Sequence, residues 1–324
     1  MDAVPAWNGK RDLSDDPAEQ DVIHEEAWLL GQPPLSRYLD FVSDLDSDSQ
    51  RSRSAIVDEW RRANDYYAEL EAREAGIADD AEIRDLEDAL ANMAQAVTAD
   101  ARWSRGFDTL PARIGMIELD RLVVSQPYVN LHHTAELKGR LGKTPTPADL
   151  FRFCLPLDRD EAPVQARRFG GNRFLFWSQS SDFRFHEPTL LQPGQITGHD
   201  PHGPLAGIVG LLVGYSSNFL SAIQCEGRLL LHNGYHRAYA LRELGIKYAP
   251  CAVQTASRRD ELALVASRTV MEDAAFYFKA ARPPLLKDFF DPQIRKVLGV
   301  PRMLRMIEVN FEVKEFDTTH FTRT

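Results

Sequence analysis

The sequence predicts an α+β protein, and three observations carry that prediction. Apolar residues recur at helical spacing between residues 56 and 97, apolar or alternating runs typical of strands follow from 114 onward, and residues 219–254 read as strand, tight turn, strand, helix, strand. The 324 residues are 44% hydrophobic and 10% aromatic, enough for a real core and a length that suits two domains or one domain with a large insertion.

Residues 1–50 mix Asp, Ser, Pro and Gly with scattered Trp7, Trp28, Leu29 and Leu30, and read as a partly disordered acidic arm that docks in places. Residues 51–105 carry two amphipathic stripes. Ile56, Trp60, Ala63, Tyr67 and Leu70 form the first, and Ile83, Leu86, Leu90, Met93 and Val97 the second. Gly76 suits the stop of one helix, and Asp79 with Glu82 suits the capped start of the other, so an α-helical hairpin is expected. Two heptads per helix favour packing on the same chain over a coiled-coil dimer, with a protein partner on the hairpin as the alternative.

From Arg113 the pattern turns to a strand through Ile114, Met116 and Ile117, and a short turn at Pro127 follows. A helix is expected from Thr134 to Leu141 with Gly142 as its stop, and another opens at Thr146-Pro147. Residues from about 167 to 218 are aromatic and glycine-rich, with strand-like runs at 174–177 and 183–186, and are expected to form an insertion. The chain then resumes with a strand from Phe219, a tight turn at Glu226-Gly227, a strand to His232, a helix to Leu244 and a strand to Gln254. Residues 256–324 are expected to hold C-terminal helices, with Asp260 to Lys279 helical up to Pro283-Pro284, and a strand in which Ile307, Val309, Phe311 and Val313 alternate with polar residues.

Charge and cysteine content narrow the function classes. The net charge is −10, but the first 100 residues hold 25 acidic against 9 basic side chains, leaving 23 against 29 in the rest. Bulk electrostatics therefore oppose nucleic-acid binding, while a small phosphorylated ligand remains compatible with the basic remainder. Cys154, Cys225 and Cys251 lack any C-x-x-C spacing and read as buried apolar residues. The longest apolar run, Gly207 to Gly214, is strand-sized, and the N-terminus lacks a secretory pattern, so a cytoplasmic protein with no membrane span is expected.

The densest chemistry lies where an apolar strand, Leu229 to His232, meets Asn233-Gly234-Tyr235-His236-Arg237. A helix start presents unpaired backbone N–H groups and the positive end of the peptide dipole, so it favours an anion. Gly234 permits positive φ and a close approach, while cationic His236 and Arg237 in a first turn are unfavourable for the helix itself unless an anion compensates. Arg237 offers a planar fork for phosphate oxygens and His236 a ring N–H. The plainer alternative is a helix start whose His236 and Arg237 face water or pair with the acidic arm.

This segment, continued through Ala238-Tyr239-Ala240-Leu241-Arg242-Glu243-Leu244-Gly245, resembles the nucleotide-binding box of the ParB N-terminal/sulfiredoxin-like superfamily. Ile117 to Pro127 is similar to that family's opening strand and proline turn, so the resemblance covers about residues 113–255, interrupted by the insertion. It implies a ParB/sulfiredoxin-like core with an aromatic and Gly-rich insertion, preceded by the helical hairpin, and assigns nucleotide binding to Asn233, Gly234, Tyr235, His236 and Arg237. Tyr235 stands where sulfiredoxins carry their reactive cysteine, so sulfinic-acid reduction is not implied. The ParB box for CTP carries consecutive arginines, from which His236 and Tyr239 depart. A branch that phosphorylates free serine has a closer glycine-x-His-Arg box, so ATP, with Mg2+ alongside, is the first ligand expected.

The resemblance thus implies ATP-dependent phosphoryl transfer or nucleotide hydrolysis, with a non-enzymatic nucleotide-gated interaction module as the alternative and a DNA-binding or nuclease protein as the third. No general base is identifiable. His199-Asp200-Pro201-His202 with His186 matches no trusted metal spacing, so no metal site is assigned. His132-His133 is a candidate to face the nucleotide, Gly170-Gly171-Asn172-Arg173 reads as a hairpin turn, and Glu226 as a turn residue. P-loop and G-x-S-x-G motifs are absent from the sequence.

Overall fold

The computed structural model describes residues 23–31, 35–45, 52–158, 163–180, 182–198, 203–301 and 304–315. The fold is mixed α+β. In chain order it opens with β1 (Ile23–Leu29), α1 (Leu35–Leu45), α2 (Arg53–Glu74), β2 (Ile83–Arg84), α3 (Ala91–Ala99) and α4 (Ala101–Gly106). Then come β3 (Ala112–Glu118), β4 (Tyr128–Asn130), α5 (Leu131–Leu141), α6 (Pro147–Cys154), β5 (Gln165–Phe169), β6 (Arg173–Ser178), β7 (Phe183–Leu191) and β8 (Ile208–Tyr215). It closes with β9 (Ser221–Cys225), β10 (Arg228–Asn233), α7 (Tyr235–Glu243), β11 (Tyr248–Thr255), α8 (Arg268–Glu272), α9 (Ala274–Lys279), β12 (Arg295–Pro301) and β13 (Arg305–Asn310).

These elements form two compact units, the larger drawn from residues between 21 and 159 and between 217 and 302. Its main sheet has the order β10-β9-β11-β3-β2. Strands β9 and β11 run parallel, with Val253 opposite Ala222, which requires a crossover, and β10 followed by α7 supplies it. The tight turn between β9 and β10 has Glu226 at φ 50° and Gly227 at φ 80°, the two positive values a type I′ hairpin turn asks for. Apolar side chains of β3, β10 and β11 pack with Phe151 and Cys154 of α6 and Ala238 and Leu241 of α7 into one core. That core fixes the start of α7 against the end of α6.

The smaller unit comes from the excursion between α6 and β9 together with the C-terminal strand. In it β5, β6 and β13 make an antiparallel sheet, with Ile307 opposite Phe176, and β7 pairs with β8. Of the alternating residues from Ile307 to Val313, Ile307 and Val309 find a partner strand while Phe311 and Val313 lie past its end and are exposed, and Gly170, at φ 61°, turns β5 into β6.

Three expectations need correction. Residues 23–29 and 35–45 of the expected arm are ordered elements: β1 lies between β12 and β4, and α1 packs its Tyr38, Leu39 and Val42 on α2. The remaining residues of that arm, 1–22 and 46–50 among them, lie outside the described residues. The helical hairpin does not form. The stripe Ile56, Ala63, Tyr67 and Leu70 of α2 packs with α1 and Ile294, while Ile83 joins a strand against Ile117 and the second helical stretch begins only near Asp88. Asp79, expected as a helix cap, instead accepts from Arg228 Nε at 2.6 Å. The expected helix from Asp260 to Lys279 is broken into a 3-10 turn at Arg259–Leu264 and the short α8 and α9, because Ser267, at φ −68°, ψ 156°, and Asp273, at φ −146°, ψ 60°, leave helical geometry.

Candidate functional site

The β9–β10 hairpin brings the chain to Asn233 through fully buried Leu229, Leu230 and Leu231, and a register shift between Leu231 and Asn233 turns it toward α7. Gly234 follows at φ 92°, and a Cβ there would lie 2.7 Å from Leu220 Cδ1 and 3.2 Å from Leu220 Cα. The glycine is therefore required by the fold itself, by its left-handed backbone and by the close pass of the chain at Leu220. Asn233 Oδ1 accepts the Gly234 N–H at 2.9 Å, and Ala238 N–H makes the first helical bond, to Gly234 O at 2.9 Å. Between them, the backbone N–H groups of Tyr235 and His236 have no hydrogen-bond partner among the described residues.

The side chains of the box divide into two kinds. Tyr235 and Arg237 turn inward. The Tyr235 hydroxyl donates to Leu231 O at 2.6 Å and accepts from Ser125 N–H at 3.2 Å, and burial pushes its pKa up, so it is a neutral pin between β10 and the chain at Ser125. The Arg237 guanidinium, only 6% exposed, donates through Nη1 to Cys154 O at 3.1 Å and to Asn218 O. Cys154 ends α6, where the chain departs for the smaller unit, and Asn218 is where it returns. Leu220 N–H also donates to Cys154 O at 2.7 Å, so Arg237 and Leu220 together tie the two ends of that excursion. The expectation that Arg237 forks onto a ligand phosphate is corrected to this extent: Nη1 serves main-chain carbonyls.

His236 is different. The residue is half-buried, and its Nε2 is buried with no hydrogen-bond partner among the described residues. It meets His133 of α5 edge to face, with ring centroids 5.2 Å apart at 76°. Burial, then the neighbouring His133 and Arg237, push the His236 pKa down to about 3. Burial also lowers the pKa of His133; Glu136 opposes this from 3.4 Å, and Arg140 and Arg237 reinforce it. Two imidazoles whose protonation is disfavoured therefore sit in the field of two guanidinium groups beside two unpaired amides. An anion at this point would gain those amides and would allow an imidazole to take up a proton.

Sequence reasoning named His132 and His133 together, and the structure separates them: His133 faces His236, whereas His132 stacks edge-on with His24 at 4.7 Å and lies 3.4 Å from Glu136. It missed Arg140, whose one signal is the seven-residue helical spacing from His133, and it missed Cys154 and Asn218, which act through carbonyls and carry no signal in residue type. Elsewhere Arg173 pairs with Glu308 at 2.8 Å and Glu226 with Arg259 at 2.9 Å, so both are structural contacts. His199, Asp200, Pro201 and His202 lie outside the described residues, and no cluster of three metal-capable side chains occurs among the described ones. The three cysteines are buried and unpaired, with thiol pKa values raised by burial. No helix of the described residues is long and apolar enough to cross a membrane. No family model, curated protein or solved structure matches this chain.

Proposed function

We propose that this chain is a nucleotide-binding protein of the ParB/sulfiredoxin-like class that captures phosphate at the start of α7, with ATP and its Mg2+ as the first ligand. The observation that carries this reading is the unpartnered Nε2 of His236 lying beside the two unpaired first-turn amides of α7. A buried polar nitrogen without an acceptor or donor is costly, and a bound anion that protonates the ring removes that cost. His236, the amides of Tyr235 and His236, and the ring of His133 are the direct phosphate contacts of this reading, and Asn233, Gly234, Tyr235 and Arg237 shape and hold the turn.

Phosphoryl transfer or hydrolysis needs charge neutralisation and alignment more than a reactive side chain, and this cluster with Mg2+ on the nucleotide supplies part of both. The gated-module reading has its own support. Arg237 joins the phosphate turn to Cys154 and Asn218, the two ends of the excursion into the smaller unit, so charge arriving beside Arg237 acts on the residues that hold those ends.

A calorimetric screen of ATP, CTP and GTP with Mg2+ tests the proposal. ATP is expected to bind, and His236→Ala to weaken binding about tenfold, the worth of one charge-assisted hydrogen bond. Product formation alongside binding supports transfer or hydrolysis, and tight binding without product supports gating. No heat with any nucleotide, or equal affinity in His236→Ala, overturns the phosphate site. Retention of DNA at about 0.15 M salt would revive a nucleic-acid role.

A further inference from the structure

Two open clefts of the larger unit meet at Pro292 and Gln293, ahead of β12, and they differ in how their charges are satisfied. The cleft of about 430 Å³ is internally neutralised. Arg282 is held by Asp288 and Glu74, Lys287 lies 2.8 Å from Glu74, and Arg242 is paired with Asp120. The cleft of about 300 Å³ is lined by Leu30, Glu59, Arg62, Pro292, Gln293 and Arg295, and its balance is positive. Glu59 accepts from Lys296 Nζ at 2.6 Å. Arg62 has no ion pair or hydrogen bond among the described residues, although Asp58 and Asp65 lie one helical turn away on either side of it. Arg295 is the stronger observation, since its Nε is buried and has no acceptor among the described residues.

A guanidinium cannot shed its proton, so a buried N–H of Arg295 without an acceptor is a standing cost that only an incoming acceptor removes. Arg62, across the same cleft, adds to the demand for negative charge. Planar forks of this kind match the oxygen geometry of phosphate and carboxylate, and the volume lies at the lower end of small-molecule sites. We propose that the cleft between α2 and the first residue of β12 binds a small metabolite through a phosphate or carboxylate group clasped by Arg62 and Arg295. The site is separate from the α7 turn and does not depend on its reading.

Arginine-selective NMR of the full chain reads this site directly, through the Arg295 Nε–H signal assigned by its loss in Arg295→Met. Titration with inorganic phosphate, and separately with succinate, is expected to shift that signal saturably with at least one of them. Phosphate alone points to a phosphorylated ligand, and succinate alone to a carboxylate. Arg62→Gln, on an exposed helical position, is expected to weaken the effective anion about tenfold. Arg295→Met keeps the apolar stem, and is expected to melt no lower than wild type without anion because the Nε has no bond to lose. No saturable shift with either anion overturns the proposal. So does a shift untouched by Arg62→Gln, or a marked fall in the melting temperature of Arg295→Met.

Discussion

Replacing Arg237 by alanine is expected to cost about 3 kcal/mol of folding stability, because a charge-assisted hydrogen bond is worth about 1.5–3 kcal/mol and two main-chain carbonyls lose the guanidinium together, although one of them keeps the Leu220 N–H. Those carbonyls belong to Cys154 and Asn218, so the damage should be local as well as global. Urea unfolding should show a lower midpoint, and limited proteolysis should cut faster near residues 155–218 than elsewhere. An Arg237→Ala protein with wild-type midpoint and wild-type cleavage would mean that the guanidinium is not spent on those carbonyls. For this reason His236, and not Arg237, is the residue whose substitution separates ligand binding from folding.

The second large effect is expected at Asp288, far from the α7 turn in function but central to how α2 is held. Asp288 and Arg282 are both almost wholly buried, with Arg282 Nη2 donating to Asp288 Oδ1 at 2.6 Å and Nη1 to Oδ2. Oδ2 also accepts from Leu285 N–H at 2.8 Å, and Glu74 at the end of α2 takes Arg282 Nη2 at 3.0 Å from the other side. Asp288→Ala removes the more buried of the two charge partners of Arg282, leaving Glu74, and should cost about 3 kcal/mol, whereas exchanging both Asp288 and Arg282 for apolar residues of similar volume should cost much less. Chemical denaturation of the single and double variants checks this. A single variant within about 0.5 kcal/mol of wild type, the range of an unremarkable surface change, would contradict it.

What was legible in the sequence was what residue type and short spacing decide. The Glu226-Gly227 turn, the helix opening at Thr146-Pro147, the stop at Gly142 and the left-handed Gly234 all appear where expected, because each is fixed by its own few residues. Features set by distant partners were not legible. The segment from Ile23 to Leu29 carries no strand alternation of its own and is a strand because β12 and β4 flank it. Ile83 fits a helical stripe equally well, and it is pairing with β3 that draws it into the sheet. The box shows the same division. Its residue types pointed to anion chemistry, but the direction of each side chain depends on carbonyls at Cys154, Asn218 and Leu231, so Arg237 and Tyr235 face inward while His236 keeps an unpartnered nitrogen.

The most direct test of charge capture at the α7 turn is the ionisation of His236 followed by NMR through its ring carbon-bound proton, with and without ATP. Without ligand the ring should stay neutral down to about pH 3. With ATP bound its midpoint should rise toward the ordinary value of about 6.5. Since the liganded pKa is then the higher one, binding takes up a proton between the two midpoints and affinity strengthens as pH falls through that window. A His236 midpoint that ATP leaves unmoved, while calorimetry records binding, would place the nucleotide elsewhere on the protein.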